Sequence, residues 1–328
     1  MSAPIITKAD WLERRGKRLS ASNFARAAFT PFSLWSEMTG RYTPTFDDDA
    51  QHVAEGRIVE NAVLKLHARR EGIRLLDFAT PSDRQRIEQH LLLSGKCSVE
   101  AWVEDDVEGE VRFQPLAVSA CGRFSATLDG IGYDLVRGSY GCLEAKKRDW
   151  SQLFNEDVDD DEIEPHTWFQ VGAQLFVSGL DWCDLVPLVA RKKIQPRRFT
   201  RESFPMDQLR TVGERFLGWL ERDEAPPATG DDLDALKASY PVKEGVEVSL
   251  GEDVAALVIE RDALRKEAKK LTEEADERQA KILQAVGEAK VAKLPNGWTI
   301  RRSVVNVPAQ QRAAYSYTNC TVSKGKKS

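Results

Sequence analysis

The feature that most constrains this chain is a change of hydrophobic period at residues 97–146, set between segments of helical spacing. Within 97–146, short β-branched and aromatic runs are separated by glycine turns, which is the pattern of strands in a meander; three strands are expected. On either side, apolar residues recur every three to four positions. Residues 50–71 (AQHVAEGRIVENAVLKLHARRE) read as an amphipathic helix, and 165–179 (PHTWFQVGAQLFVSG) as a second one that opens at a proline and stops at Gly179. Residues 9–39 read as helix in two pieces, broken near Gly16 and Thr30-Pro31. Strands at 183–190 and 197–204 and a helix at 206–222 complete the pattern. Helices around a central mixed sheet make an α/β (α+β) fold.

A chain of 328 residues holds two domains, or one large domain with an extension. Pro226-Pro227, followed by Ala-Thr-Gly-Asp-Asp, punctuates the sequence and sets the expected division at 1–225 and 226–328. In the second part, 252–292 reads as a long helix of nearly balanced charge. A heptad runs through Val254, Arg261, Ala268, Ala275 and Ile282, with Leu257, Leu264 and Leu271 three residues later, as in a coiled-coil arm. A short basic, β-rich tail follows.

Composition removes several function classes. No apolar run approaches the ~20 residues of a membrane span, and MSAPIITKADWLERRG lacks an apolar signal region, so a cytoplasmic location is expected. The five cysteines (Cys97, Cys121, Cys142, Cys183 and Cys320) are dispersed, which argues against a disulfide framework, a zinc ribbon or an iron–sulfur cluster. With four histidines and no HExxH, any metal should be held by oxygen. The net charge of -5 conceals segregation. Residues 187–201 carry six basic side chains and no acidic one, whereas 155–164 (NEDVDDDEIE) carry seven acidic in ten. Separate basic patches on a mildly acidic chain suit a polyanion binder whose other faces stay soluble.

The chemistry concentrates in RFSATLDGIGYD and GSYGCLEAKKRDW. Asp129 falls in a strand-and-turn segment, and Glu144 and Lys146 in a strand fifteen residues on. Alternate strand residues share a face, so Glu144 and Lys146 point the same way. If the two strands pair, Asp129 meets Glu144 across the ladder. Two converging carboxylates repel unless a cation neutralises them, and hard oxygen donors select Mg²⁺ or Mn²⁺. Such a metal activates water and stabilises charge on a phosphoryl oxygen. Lys146 then lies where it can orient or deprotonate the attacking water, or touch the scissile phosphate.

Four elements in order resemble the PD-(D/E)XK nuclease superfamily, and more closely its YqaJ-type viral recombinase (lambda exonuclease) family. Trp11-Leu12 with Arg15 and Ser22 (WLERRGKRLSAS) resembles the opening helix and loop. Glu60 in EGRIVEN matches the G-x-x-x-E helix. Asp129 in TLDG and the Glu144/Lys146 pair in LEAK match the catalytic strands. Gln170 in FQVGAQLFVSG resembles the glutamine helix, whose second glutamine falls here on Gly172 while another stands at Gln174. The acidic segment 155–164 sits where other members have a shorter loop.

The resemblance implies a restriction-endonuclease-like core with Asp129, Glu144 and Glu60 as metal ligands and Lys146 catalytic. It also implies Arg15, Ser22 and Gln170 as contacts to the DNA 5′-phosphate. The implied activity is Mg²⁺-dependent degradation of the 5′-ended strand of double-stranded DNA, leaving 3′ overhangs for phage-type recombination. Implied partners are duplex DNA ends, a single-strand annealing protein and further copies in a trimer; the implied setting is a bacterial host of a phage or prophage. A restriction-type or structure-specific endonuclease with the same core, and a non-catalytic DNA-binding scaffold, are the alternatives.

Overall fold

A computed structural model describes residues 2–15, 18–43, 51–107, 110–147, 163–188, 196–295 and 299–302. The acidic run up to residue 162, residues 189–195 of the basic patch and the tail from 303 lie outside the described residues. The chain forms two compact units, Met1–Tyr240 and Pro241–Ser328.

The first unit runs β1 (Ile5–Ile6), α1 (Lys8–Arg15), β2 (Leu19–Ser20), α2 (Phe24–Phe29), α3 (Pro31–Met38), α4 (Gln51–Glu71), β3 (Ile73–Leu75), α5 (Pro81–Ser94), β4 (Cys97–Val107), β5 (Glu110–Ser119), β6 (Phe124–Thr127), β7 (Gly130–Asp134), β8 (Ser139–Lys147), α6 (Pro165–Ser178), β9 (Trp182–Leu188), β10 (Arg197–Thr200), α7 (Met206–Glu221) and α8 (Leu233–Ser239). The mixed α/β architecture is as expected, with its strands in two five-stranded sheets ordered β1-β4-β5-β6-β2 and β10-β9-β8-β7-β3. The chain leaves the first sheet at Thr127 and enters the second at Gly130, so the two-residue step Leu128-Asp129 joins them. Residues 97–147 form five strands rather than three, because β4 and β5 make a long hairpin of their own ahead of the shorter strands.

Strands β8 and β9 are parallel and therefore need a crossover, which α6 supplies. Pro165 presets the first turn of α6, and Gly179, at φ 70°, closes it in the left-handed region. The apolar face of α6 enters the main core, where Phe176 stacks edge-on to Phe24 and Phe124. Trp168 and Phe169 pack against the same core, and Trp182 is buried beneath α4 with Leu64, Ala68 and Leu143. Trp168, Phe169 and Phe176 are core, as their helical spacing suggests, and Trp182 joins the core from β9.

Residues 226–240 pack in the first unit, so the division lies fifteen residues beyond the expected one. The Ser33 backbone N–H and hydroxyl both donate to Asp232 Oδ1, at 2.8 and 2.5 Å. Thr229 donates to the Phe29 carbonyl, and Ala235 is buried in the core. A proline pair that reads as a linker is here followed by a clasp onto α3.

The second unit contains α9 (Glu252–Val286) and an antiparallel pair, β11 (Val291–Lys293) and β12 (Thr299–Arg301). Leu257, Leu264 and Leu271 of the traced heptad are exposed. Among the described residues, no helix is long and apolar enough to cross a membrane.

Candidate active site

Gly130 pairs with Leu143 in the β7–β8 ladder, so Asp129, one residue earlier, comes opposite Glu144. The Ala145 backbone N–H donates to Asp129 Oδ2 at 3.2 Å and fixes that carboxylate at the mouth of the ladder. Alternation along β8 sends Glu144 and Lys146 to one face and Leu143 and Ala145 to the other, where they meet α4. Glu144 is buried, and α6 satisfies both of its oxygens. Gln170 Nε2 donates to Oε1 and Gln174 Nε2 to Oε2, each at 2.6 Å. Lys146 Nζ lies 2.9 Å from Glu144 Oε1 and donates to Gln170 Oε1 at 2.8 Å. From α4, Glu60 shares a hydrogen bond with Asp129.

Three carboxyls this close cannot all ionise cheaply. Burial, and then the charge of Glu144, push Glu60 from its ordinary 4.5 up to about 7. Burial and the charges of Glu144 and Glu60 hold Asp129 well above the usual range. Burial opposes the Lys146 charge, but Glu144, Asp129 and Glu60 outweigh it and raise its pKa. Arg112 of β5 acts on Glu60 in the opposite sense to Glu144.

Among the described residues, no three acidic, histidine or cysteine groups are drawn together as a formed metal cage. The Lys146 ammonium is instead the cation beside Glu144. The donor chemistry nevertheless fits a hard divalent ion: three carboxylates from separate elements, two with pKa values raised by burial and by each other's charge. Glu60, Asp129 and Glu144 are the residues that would hold it.

The structure brings five of the expected residues together: Glu60, Asp129, Glu144, Lys146 and Gln170. Gln170 contacts Glu144 and Lys146 here. Ser22 is exposed on the short turn after β2 and lies 3.1 Å from the Ser20 hydroxyl. Strand β2 runs alongside β6, the strand that leads to Asp129, and Trp11 Nε1 fastens α1 to Thr127 at 3.0 Å. Arg15 ends α1; its side chain lies outside those described. Its neighbours Arg14 and Arg18 both pair with Glu100, and Arg18 Nε also donates to the Gly122 carbonyl. Within the basic patch, Arg198 turns inward to Asp184 and Asp134, and Arg201 donates to the Leu175 carbonyl. Two of its six cations therefore hold the fold together.

The model of the YqaJ-like viral recombinase domain matches residues 10–181, more than half of the chain, and spans the expected site residues from Arg15 to Gln170. The chain belongs to that family. None of the curated proteins compared with this YqaJ-family chain matches it. It is similar to the solved alkaline exonuclease LHK-Exo from Laribacter hongkongensis, at 18% identity and TM-score 0.42, over 66% of this chain and 94% of that one. It is similar also to LHK-Exo in complex with dAMP, at 17% identity and TM-score 0.41, over 70% and 96%.

The raised carboxyls make a testable linkage. A carboxyl whose folded pKa lies above its unfolded value stabilises the fold fully below the unfolded value and loses that contribution as pH rises through the folded one. For Glu60 the upper limit of that window is about 7. The metal-free protein is therefore expected to melt ~2–6 °C lower at roughly pH 8.5 than at pH 6. Millimolar Mg²⁺ should reverse the loss by binding the ionised trio. Differential scanning calorimetry with and without Mg²⁺ checks this; a melting temperature that rises over the interval without metal would contradict it.

Proposed function

We propose that this chain is a Mg²⁺- or Mn²⁺-dependent DNA exonuclease of recombination that degrades the 5′-ended strand of a duplex and leaves a 3′ overhang. The observation that carries the reading is the meeting of Asp129, Glu144, Lys146 and Glu60 at the junction of the two sheets, inside the segment that matches the recombinase family. When bound, a divalent ion would supply a water of lowered pKa and charge stabilisation at the phosphoryl oxygen.

The chain's own residues do the rest. Asp129, Glu144 and Glu60 set the site's negative field and donor geometry. Lys146, fully charged beside them, orients the attacking water or the scissile phosphate. Gln170 bonds Lys146 and Glu144 at once, bracing their ion pair from α6, and is proposed to meet the DNA 5′ end there. Arg15 and Ser22 are proposed to grip the 5′-phosphate: the guanidinium provides a planar fork of donors and the hydroxyl a neutral one. The pairing of Arg14 and Arg18 with Glu100 supports Arg15 over its neighbours for that contact. Duplex DNA ends, a single-strand annealing protein and a trimeric assembly belong to the same reading, as does a cytoplasmic site of action.

Linear duplex should be consumed in Mg²⁺ while covalently closed circular DNA of the same sequence stays intact; conversion of the circle to linear product would favour the endonuclease alternative. Each cut that leaves a 5′-phosphate recreates the end for the next. Duplex with a 5′-phosphate is thus expected to be degraded faster than the 5′-hydroxyl form. Arg15→Ala should erase that preference, with Ser22→Ala acting more weakly because it removes only a neutral hydrogen bond. Initial rates on the two ends decide the point, and equal wild-type rates would remove the phosphate pocket.

A further inference from the structure

Gln174 is buried, and both ends of its amide are committed inside the protein. Its Nε2 donates to Glu144 Oε2 at 2.6 Å, and its Oε1 accepts from the Cys183 thiol at 3.9 Å. The carboxylate only accepts, so it holds the N–H side of the amide toward itself, and the thiol contact on the other side agrees with that orientation. Gln170, one turn earlier on the same helix, is differently engaged: its amide serves Glu144 and Lys146 at once, and Lys146 is half exposed at the mouth of the site. Any movement of Lys146 toward substrate must disturb Gln170. Nothing about Gln174 depends on Lys146.

Gly172 shows why the helix places its second glutamine there. A Cβ at 172 would stand 2.7 Å from Phe204 Cδ1 and 3.1 Å from Leu209 Cδ1, so that face of α6 is closed by α7 and the turn before it. Position 174, a full turn beyond 170, faces β8 instead. From this geometry we infer that Gln174 is a positioning residue for the proposed reaction, holding the plane of the Glu144 carboxylate so that it is preset as a metal ligand. The inference rests on the metal-dependent reading of the site.

A merely structural glutamine would affect melting and leave metal binding alone, so metal affinity is the discriminating readout. Calorimetric titration of MnCl₂ into the DNA-free, full-length protein is the experiment. Gln174→Leu keeps the volume but leaves Oε2 without its donor, and is expected to bind Mn²⁺ about tenfold more weakly, in the range seen when a hydrogen-bond partner of a ligand is removed. Its KM for duplex should be unchanged, with the rate largely recovered at saturating Mn²⁺. Ser178→Ala, equally buried on the same helix, should leave the affinity at the wild-type value. If Gln174→Leu does not fold, Gln174→Met, an unbranched side chain of similar length without the N–H donor, should weaken Mn²⁺ binding in the same direction by about tenfold. Wild-type affinity in a folded Gln174→Leu protein, or in Gln174→Met where that variant stands in, would overturn the inference. Absence of Mn²⁺ binding by the wild type would overturn the reading of the site itself, and this inference with it.

Discussion

Asp129→Ala, Glu144→Gln and Lys146→Ala are each expected to slow duplex cleavage by ~100-fold or more, since a few kcal/mol of lost transition-state stabilisation has that effect. The losses should not come from unfolding. Asp129→Ala removes one of three mutually repelling carboxyls, and its melting temperature in the absence of metal should equal or exceed that of the wild type. Glu144→Gln retains the shape that Gln170 and Gln174 grip but lacks the charge that a divalent ion requires. Glu60→Gln should be milder, because Glu60 approaches from α4 and its hydrogen bond in the cluster is to Asp129, while its link to the Glu144–Lys146 pair is through charge alone. Single-turnover rates alongside melting curves test the set, and turnover by Asp129→Ala at the wild-type rate would sink the assignment.

The second large effect is on stability. Arg198→Ala is expected to cost about 3–5 kcal/mol, the usual consequence of stripping the partner from buried charges. Arg198 forks onto both Asp184 oxygens, reaches Asp134 Oδ2 on β7, and lies 4.0 Å from the centre of the Trp182 ring. His67 of α4 holds Asp184 from the other side at 2.8 Å. Despite their burial, hydrogen bonds from Arg198, His67 and the Arg137 backbone keep Asp184 and Asp134 below the usual carboxylate range. A depressed pKa stabilises fully above the unfolded value of ~3.9 and is lost as pH falls through the folded one. The deficit of Arg198→Ala should therefore be fully developed at neutral pH and shrink in acid. Urea denaturation at neutral and acidic pH measures this, and an unchanged midpoint at neutral pH would contradict it.

Arg198 also shows how far the sequence could be read. In PLVARKKIQPRRFTR it looks like one more surface cation, because its partners, Asp184 and Asp134, are brought to it only by the β9–β10 and β7–β8 pairings. The clasp of residues 229–240 onto α3 was hidden for the same reason: Ser33 and Asp232 are 199 positions apart. Helix α5 was missed because only Asp83, Ile87 and Leu91 of its fourteen residues are buried, too few to make a clear apolar period. By contrast, the meeting of Asp129 with Glu144 follows from local rules, strand alternation and a hairpin joining neighbouring strands, and was legible. Gln174 was visible only as a residue out of register with the family pattern. Its role required the packing of Phe204 on Gly172 to be seen. No sequence signal singles out Arg112 within the charged hairpin of β4 and β5.

The most direct test of the central claim is degradation of a linear duplex carrying a label on one 5′ end, followed over time with Mg²⁺, with EDTA, and with Asp129→Ala in Mg²⁺. The account predicts early release of the 5′ label as short product in Mg²⁺ alone, with the complementary strand persisting as a single-stranded 3′ overhang. Release at the same rate in EDTA or by Asp129→Ala would contradict it.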